Sequence, residues 1–176
     1  MTLPATPIGP SGRPTTIFVS YSRDDRKRAR PVIDALEKAG FSVWWDGLLQ
    51  PGERFADSTS AALEGASTVV VLWSRISVTS HWVHDEATRG RDRKCLVPLS
   101  LDGSAPPLGF GQYQTIDISR ARLSGNMAGD AIMAQVIAAV AALHDPAAIA
   151  AHAAHTAPDT TKSPAFISRR MALAGG

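Results

Sequence analysis

Five short runs of apolar and β-branched residues recur along the chain, separated by segments of mixed polarity. Runs of this length and composition, bounded by turn-forming residues, predict β-strands. The third run is apolar or β-branched at every position, which is typical of a central parallel strand covered on both faces. The predicted strands cover residues 16–21, 41–45, 68–73, 95–101 and, with the weakest pattern, 114–118.

Between these runs, apolar residues recur at three- and four-residue spacing, which predicts amphipathic helices. Asp24 or Asp25 can cap the start of the first helix, and Gly40 follows its end. Pro31 lies inside this helix, so the helix either kinks there or begins its regular part there. Further helices are predicted over 55–65 and 80–91, and a last one carries the apolar stripe Ile132, Val136, Val140 and Leu143.

The alternation of strands and helices defines a fold class. Five strand–helix repeats within about 130 residues imply one doubly wound parallel sheet with right-handed crossovers. In such α/β sheets, ligands bind outside the carboxyl ends of the strands. That rule gathers the segments 21–23, 45–52 and 74–86 around one crevice.

Composition agrees with a single folded domain. The chain has 176 residues, of which 44% are hydrophobic, enough for one globular core. Residues 1–14, rich in Pro, Gly and Thr, are predicted to be a flexible N-terminal arm, and they lack the basic start and apolar core of a signal peptide. Cys95 stands alone in an apolar run, so we predict a buried strand thiol and a cytoplasmic location.

The formal net charge of +2 does not indicate a basic surface on the folded domain. The excess lies in residues 147–176, and the preceding part of the chain is neutral overall. A neutral body gives no indication of nucleic-acid binding. The charges clustered at 23–30 are predicted to form a solvated helix face.

Other nucleotide and metal signatures are missing from the sequence. Gly109-Phe-Gly111 lacks the third glycine of a dinucleotide fingerprint, and no G-x-x-x-x-G-K-[ST] occurs, which argues against a Rossmann dehydrogenase. No suitable acceptor aspartate ends the third strand, which argues against a phosphoacceptor receiver domain. His152 and His155 stand three residues apart without a third ligand, so we predict no metal site.

The segment 146–176 is rich in Ala, Thr and Pro and is predicted to be a linker or tail. Its last residues combine Arg169 and Arg170 with small and apolar residues, as a basic flank before a membrane span does. This pattern suggests a longer natural chain that continues into a membrane helix or another domain. The folded domain itself is expected to make no membrane contact.

Trp82 and Glu86 are four residues apart, and on a helix they share one face. An aromatic ring beside a carboxylate suits a site that holds a nucleotide and stabilises positive charge on a sugar. The spacing alone is weak evidence, because it occurs often by chance. Asp85, one residue earlier, is expected to point about 100° away.

Several segments together resemble Toll/interleukin-1 receptor (TIR) domains, in order and at that family's spacing. Residues 17–25, Ile-Phe-Val-Ser-Tyr-Ser-Arg-Asp-Asp, are similar to the first box of the family. Residues 40–46, together with Leu49-x-Pro-Gly52, resemble the second strand and the BB loop that follows it. The segments 68–74, 80–87 and 95–99 resemble the central strand, the αC segment and the fourth strand.

The resemblance covers residues 15–143 and is in the style of bacterial TIR domains. It implies a TIR domain over 15–145 with a flavodoxin-like α/β fold. The five-stranded parallel sheet would have the order 2-1-3-4-5 and be flanked by helices.

TIR domains fall into two functional classes. Some are adaptors that act only by assembling with other TIR domains, and others cleave NAD⁺ to nicotinamide and ADP-ribose or a cyclic form of it. The resemblance of 80–87 to the αC segment implies an NAD⁺ nucleosidase with Glu86 as the catalytic residue, NAD⁺ as substrate, and neither cofactor nor metal. The alternative is a non-catalytic scaffold or adaptor, including an effector directed at a host.

For the other site residues the resemblance implies substrate contacts, each with a structural alternative. Arg23 can meet the pyrophosphate or be a solvated surface residue, and Trp82 can line the nucleotide pocket or pack its helix on the sheet. Trp45 can contact ligand or support the loop, whereas Trp44, on the opposite face, is predicted to be core. Ser74 can touch a ribose or cap the next turn. The predicted substrate-binding residues are Tyr21, Ser22, Arg23, Trp45, Asp46, Gly52, Ser74 and Trp82.

The resemblance also implies partners. Pro51 and Gly52 shape the BB loop, which in the family commonly takes part in TIR–TIR assembly. Active sites in several members are completed by a neighbouring domain. We therefore expect a homo-oligomer or filament whose activity depends on self-assembly, with a role in bacterial defence or signalling.

Overall fold

A computed structural model of the protein describes residues 16–48, 55–121 and 127–143. Along these residues the elements are β1 (Thr16–Ser20), α1 (Arg26–Lys38), β2 (Ser42–Trp44), α2 (Phe55–Gly65), β3 (Thr68–Trp73), α3 (His81–Asp92), β4 (Leu96–Ser100), β5 (Ile116–Asp117) and α4 (Met127–Ala142). Short 3₁₀ turns lie at Arg23–Asp25, Asp46–Leu48 and Ser77–Thr79. The predicted arm 1–14 and tail 146–176 lie outside the described residues.

The strands form one parallel sheet in the order β2-β1-β3-β4-β5. Phe18 of β1, for example, pairs with Trp44 of β2 on one side and with Val69 of β3 on the other. Parallel neighbours need crossover connections. Helices α1, α2 and α3 provide them between the first four strands, and residues 101–115 connect β4 to β5 without an α-helix. The predicted flavodoxin-like order 2-1-3-4-5 is confirmed. Because the strand order reverses beside β1, the carboxyl end of β1 lies where such sheets bind ligands.

Two apolar layers cover the sheet, because successive side chains of each strand point to opposite faces. One layer includes Val19 and packs against residues of α1 and α4. The other includes Phe18 and packs against residues of α2 and α3. All six residues of β3 are buried and supply both layers, as their continuous apolar run predicts.

Helix α1 begins at Arg26 and continues through Pro31, so its regular part does not begin at the proline. Pro31 cannot donate the N–H of a helical turn, and the buried apolar face of the helix holds the segment on the sheet. Asp25 occupies the N-cap position without a side-chain capping bond. Its carboxylate instead accepts a hydrogen bond from the Ser74 hydroxyl and pairs with Arg28.

The fourth strand starts one residue later than predicted, at Leu96, because a turn that closes α3 reaches as far as Cys95. The N–H of Cys95 donates to the carbonyl oxygen of Gly90 at 2.9 Å, and Lys94 adopts a left-handed φ of 58°. Cys95 is buried, and this burial raises the pKa of its thiol.

Within the described ranges, no helix has the length and apolar character needed to cross a membrane. The same residues contain no group of three side chains placed to hold a metal ion. His152 and His155 lie outside these ranges.

Candidate active site

A cleft of 410 Å³ opens at the carboxyl ends of β1 and β2. This volume is within the usual range for small-molecule sites. The cleft brings together six of the predicted site residues, namely Tyr21, Ser22, Arg23, Asp46, Trp82 and Glu86. It therefore lies at the crevice that the fold class predicts.

Glu86 lies on α3 with its carboxylate against the end of β1. The Ser20 hydroxyl donates a hydrogen bond to Glu86 Oε2 at 2.6 Å. Burial raises the pKa of Glu86 to about 7; the Ser20 bond opposes this rise, and the charges of Asp46 and Asp85 add to it. Near neutral pH a large fraction of Glu86 is therefore the carboxylate anion, and this anion can accept a proton.

The start of helix α3 determines where Glu86 lies. Ser80 is the N-cap, and its side chain accepts a hydrogen bond from the N–H of Val83. The buried residues of the helix recur at helical spacing: Val83, Ala87 and Gly90. Glu86 is next to this buried stripe and enters the cleft, whereas Trp82, one turn earlier, stands at the rim with 60% of its surface exposed.

Gly90 allows α3 to approach the sheet closely. A Cβ atom at this position would lie 2.8 Å from the Cβ atom of Val69 in β3, which is closer than carbon atoms normally pack. Gly90 follows Glu86 by about one helical turn. The absence of a side chain at Gly90 therefore also sets how deeply Glu86 sits in the cleft.

We expect Gly90→Ala to lower the free energy of unfolding by about 1–3 kcal/mol, because the added methyl group overpacks the contact between α3 and β3. Urea unfolding measures the change. Gly65→Ala, at the end of α2, is the matched control, since a Cβ atom there meets nothing within 4 Å. Equal stability of the two variants would contradict the close approach at Gly90.

Asp46 connects the turn after β2 to the end of β1. The Tyr21 hydroxyl donates a hydrogen bond to the Asp46 carboxylate, and Arg23 Nε lies 3.7 Å from Asp46 Oδ2. Burial, followed by the bond to Asp46, raises the pKa of Tyr21, so this hydroxyl remains a donor at neutral pH. These contacts hold the base of the loop that follows Asp46 beside the cleft.

The two adjacent tryptophans of the second strand region have opposite environments. Trp44 lines the cleft and stacks on Phe18, with ring centroids 4.8 Å apart. Trp45 is buried on the α1 side, where the guanidinium groups of Arg26 and Arg30 lie 5.2 and 5.0 Å from its ring centroid. The predicted opposition of the two side chains is observed, but the structure places Trp44 in the cleft and Trp45 in the core.

Ser74 is a further predicted residue that does not line the cleft. Ser74 is buried, and its hydroxyl oxygen accepts hydrogen bonds from the N–H groups of Ile76 and Ser77 at 3.1 and 3.0 Å. Of its two predicted roles, Ser74 therefore has the contacts of a cap for the following turn. Gly52 lies outside the described residues.

Ser20, Trp44 and Thr59 belong to this region but were not predicted as site residues, and neither were Phe18 and Ser80, which also line the cleft. Ser20 had a visible signal, because it is a polar residue in an apolar strand and shares a face with Phe18. Thr59, on α2, lines the cleft, and within the described structure its buried hydroxyl has no hydrogen-bond partner. No sequence pattern distinguishes Thr59 from other helix positions.

Comparison with known families gives one match over most of the folded region. A family model described as a TIR domain matches residues 17–133. No curated protein matches the chain.

Several solved structures are similar in fold. The TIR domain of the Toll-related receptor TRR-2 from Hydra magnipapillata is 18% identical, with a TM-score of 0.53 over 57% of this chain and 82% of that one. The TIR domains of the activated Roq1 resistosome are 14% identical, with a TM-score of 0.54 over 72% of this chain and 99% of theirs.

A metazoan TIR-STING receptor from C. gigas, solved with 2′,3′-cGAMP, is 26% identical, with a TM-score of 0.53. The similarity extends over 74% of this chain but only 39% of that receptor.

Proposed function

The chain belongs to the TIR-domain family, and on that premise we propose that it is an NAD⁺ nucleosidase. It cleaves the bond between nicotinamide and ribose, releasing nicotinamide together with ADP-ribose or a cyclic form of it. The observation that carries the proposal is the Glu86 carboxylate, which Ser20 binds at 2.6 Å in a cleft bordered by Trp82.

The reaction needs little beyond a well-placed carboxylate. Nicotinamide in NAD⁺ is already a cationic leaving group, so the C1′–N bond breaks with its electron pair moving to the nitrogen, and no general acid is required. Positive charge then develops on the ribose, as in an oxocarbenium ion. Glu86 stabilises this charge as an anion and binds the ribose hydroxyls. Water attacks C1′ and loses a proton, which Glu86 accepts because its pKa is about 7.

Two further groups of the cleft match the remaining parts of the dinucleotide. Trp82 offers an exposed ring on which an aromatic base can stack. Arg23 offers a guanidinium to the pyrophosphate, a pairing favoured by charge-assisted hydrogen bonds. Since Arg23 Nε lies 3.7 Å from Asp46 in this structure, the pyrophosphate must compete with that ion pair.

The test of the proposal is nicotinamide release from NAD⁺ by protein that is concentrated or clustered on a scaffold. Clustering is needed because TIR active sites can require a neighbouring domain. Chromatography of the products separates linear from cyclic ADP-ribose. If wild type and Glu86→Ala are equally inert under conditions that force assembly, the proposal fails.

We expect Trp82→Ala to raise KM for NAD⁺ roughly tenfold, because stacking of a base on an aromatic ring contributes about 1–3 kcal/mol. The side chain is 60% exposed, so the free energy of unfolding should change by less than about 0.5 kcal/mol. Initial rates against NAD⁺ concentration measure the effect. Ile76→Ala, which truncates another exposed apolar residue outside the cleft lining, is the control. A large loss of stability with unchanged KM would instead assign Trp82 to packing.

Self-assembly with other TIR domains is part of the proposal, in the cytoplasm and in the context of bacterial defence or signalling. The second candidate function is a non-catalytic scaffold that acts only through such assembly. It is supported by large apolar side chains exposed on the described surface, namely Ile76, Trp82 and Leu108. A scaffold does not need an ionisable Glu86, so the effect of Glu86→Ala on nicotinamide release separates the two functions.

A further inference from the structure

Ser20 ends strand β1, and only 1% of its surface is exposed. Its Oγ atom lies 2.6 Å from Glu86 Oε2, although the two residues are 66 positions apart in the sequence. We propose that Ser20 is the positioning residue of this site: its hydroxyl holds Oε2 of Glu86 and thereby presents Oε1 to the ribose hydroxyls of the substrate. This inference rests on the proposed NAD⁺ cleavage and adds a residue that acts through Glu86.

The place of Ser20 in the sheet makes it a rigid support. Ser20 pairs with Val71 of the central strand β3, so its backbone is held by the strand ladder. One side-chain torsion places its hydroxyl oxygen, whereas three torsions place the carboxylate of Glu86. A short donor on a strand thus restricts a long, flexible acceptor on a helix, as a preorganised site requires.

The hydrogen bond also selects the protonation state that the proposed chemistry uses. An O–H···O⁻ bond of 2.6 Å has the length of a strong, charge-assisted bond. A hydroxyl donor stabilises the carboxylate relative to the neutral acid. Ser20 therefore opposes burial, which is the main cause of the raised pKa of Glu86.

Two charged groups around Glu86 affect its pKa in the opposite direction to Ser20. Asp46, in the turn after β2, and Asp85, on α3 itself, both raise the pKa of Glu86. The other elements around the cleft contribute Tyr21, Arg23 and the uncharged Thr59. Without the Ser20 hydroxyl, burial and the two aspartates act with less opposition, so the carboxylate forms only at higher pH.

Ser20→Ala in the assembled full chain is the first test. We expect kcat at pH 7 to fall roughly 10- to 100-fold, as for a lost bond to a charged group, with KM for NAD⁺ changed by less than about threefold. The acid limb of the pH–rate profile should move up by about one pH unit. Ser100→Ala is the matched control, because Ser100 is a buried serine ending β4 whose hydroxyl donates to the Ser104 carbonyl at 3.0 Å. This control should keep the wild-type acid limb.

A second readout does not depend on activity. The chain has four glutamates, and ¹³C labelling of their carboxyl carbons gives one NMR titration each; the Glu86→Gln spectrum identifies the signal of Glu86. We expect the Glu86 titration to move to higher pH in Ser20→Ala and to stay in place in Ser100→Ala. Should Ser20→Ala fail to fold, Ser20→Cys is the substitute, because cysteine has a similar size and a weaker hydrogen-bond donor. Its Glu86 titration should move to higher pH by less than the full loss of the donor would cause.

An unmoved Glu86 titration in folded Ser20→Ala would overturn the proposal, as would a loss of activity no greater than that of Ser100→Ala. If the titration moves but even assembled wild type releases no nicotinamide, the pairing of Ser20 with Glu86 holds and the NAD⁺ reaction is what fails.

Discussion

Glu86→Gln is expected to lower the rate of nicotinamide release from NAD⁺ by roughly 10²- to 10⁴-fold in the assembled protein. Glutamine keeps the size of the side chain and an oxygen that accepts the Ser20 hydrogen bond. It removes the negative charge that stabilises the developing oxocarbenium ion, and it removes the proton acceptor. The loss should therefore appear mainly in kcat, measured from initial rates at saturating NAD⁺.

Asp85→Asn is the matched control for this substitution. It removes a neighbouring carboxylate on the same helix, yet Asp85 is exposed and does not line the cleft. We expect its rate to stay within about threefold of wild type, because the lost charge is exposed to solvent and lies outside the cleft lining. Similar losses in Glu86→Gln and Asp85→Asn would show that charge on α3 matters in general, and would remove the specific role of Glu86.

A stability measurement distinguishes a Glu86→Gln variant that is inactive because it lacks the carboxylate from one that is inactive because it is unfolded. The pKa of Glu86 rises from 4.5 to about 7 on folding, so the folded state prefers the neutral acid. The stability this group contributes is present below its unfolded pKa and is lost as the pH rises through 7. Glu86→Gln should therefore have a higher Tm than wild type at pH 8, with the difference shrinking toward pH 5. An inactive variant that melts earlier than wild type at pH 8 would contradict this account.

The second large effect is on pH dependence. We expect kcat/KM to rise with pH, with a midpoint near 7, because the carboxylate form of Glu86 is the active one and the pKa of the group is about 7. Each pH unit below the midpoint should lower kcat/KM about tenfold, so the rate at pH 5 should be roughly 100-fold below the plateau. Initial rates between pH 5 and 9 in buffers of constant ionic strength measure this profile.

The low rate at acid pH is not expected to come from unfolding, since protonation of Glu86 stabilises the folded state. Circular dichroism at each pH checks this point. A profile that is flat from pH 5 to 9, or that falls as the pH rises, would mean that the Glu86 anion is not required. Asp46→Asn offers a further comparison, because removing its charge should lower the pKa of Glu86 and extend the active range toward acid.

The fold was predictable from local patterns. The apolar run at 68–73 indicated a central strand, and every residue of β3 is indeed buried. The alternation of strand and helix patterns indicated one parallel sheet, since parallel strands can be joined in few ways. The resemblance to TIR domains implied the strand order β2-β1-β3-β4-β5, which is observed. Element ends were less predictable, because contacts such as the Cys95 N–H to Gly90 oxygen bond decide them.

The position of the cleft was predictable, but the full set of residues that lines it was not. The segments that follow the first three strands were expected at one crevice, and Tyr21, Asp46 and Glu86 from these segments do line one cleft. Alternation along the second strand predicted that Trp44 and Trp45 face opposite ways. It did not say which side is the cleft, because that depends on the helices that cover each face.

Sequence by itself determined the family and the parallel sheet, because hydrophobic period and motif order are properties of the chain. Through the resemblance to TIR domains it also singled out Glu86 as the candidate catalytic residue. Tertiary structure decided that Trp44 lines the cleft, that Ser74 caps a turn and that Ser20 binds Glu86. The contact between Ser20 and Glu86 joins residues 66 positions apart. Such a contact forms only when α3 packs onto the sheet, at a depth set by the contact of Gly90 with Val69.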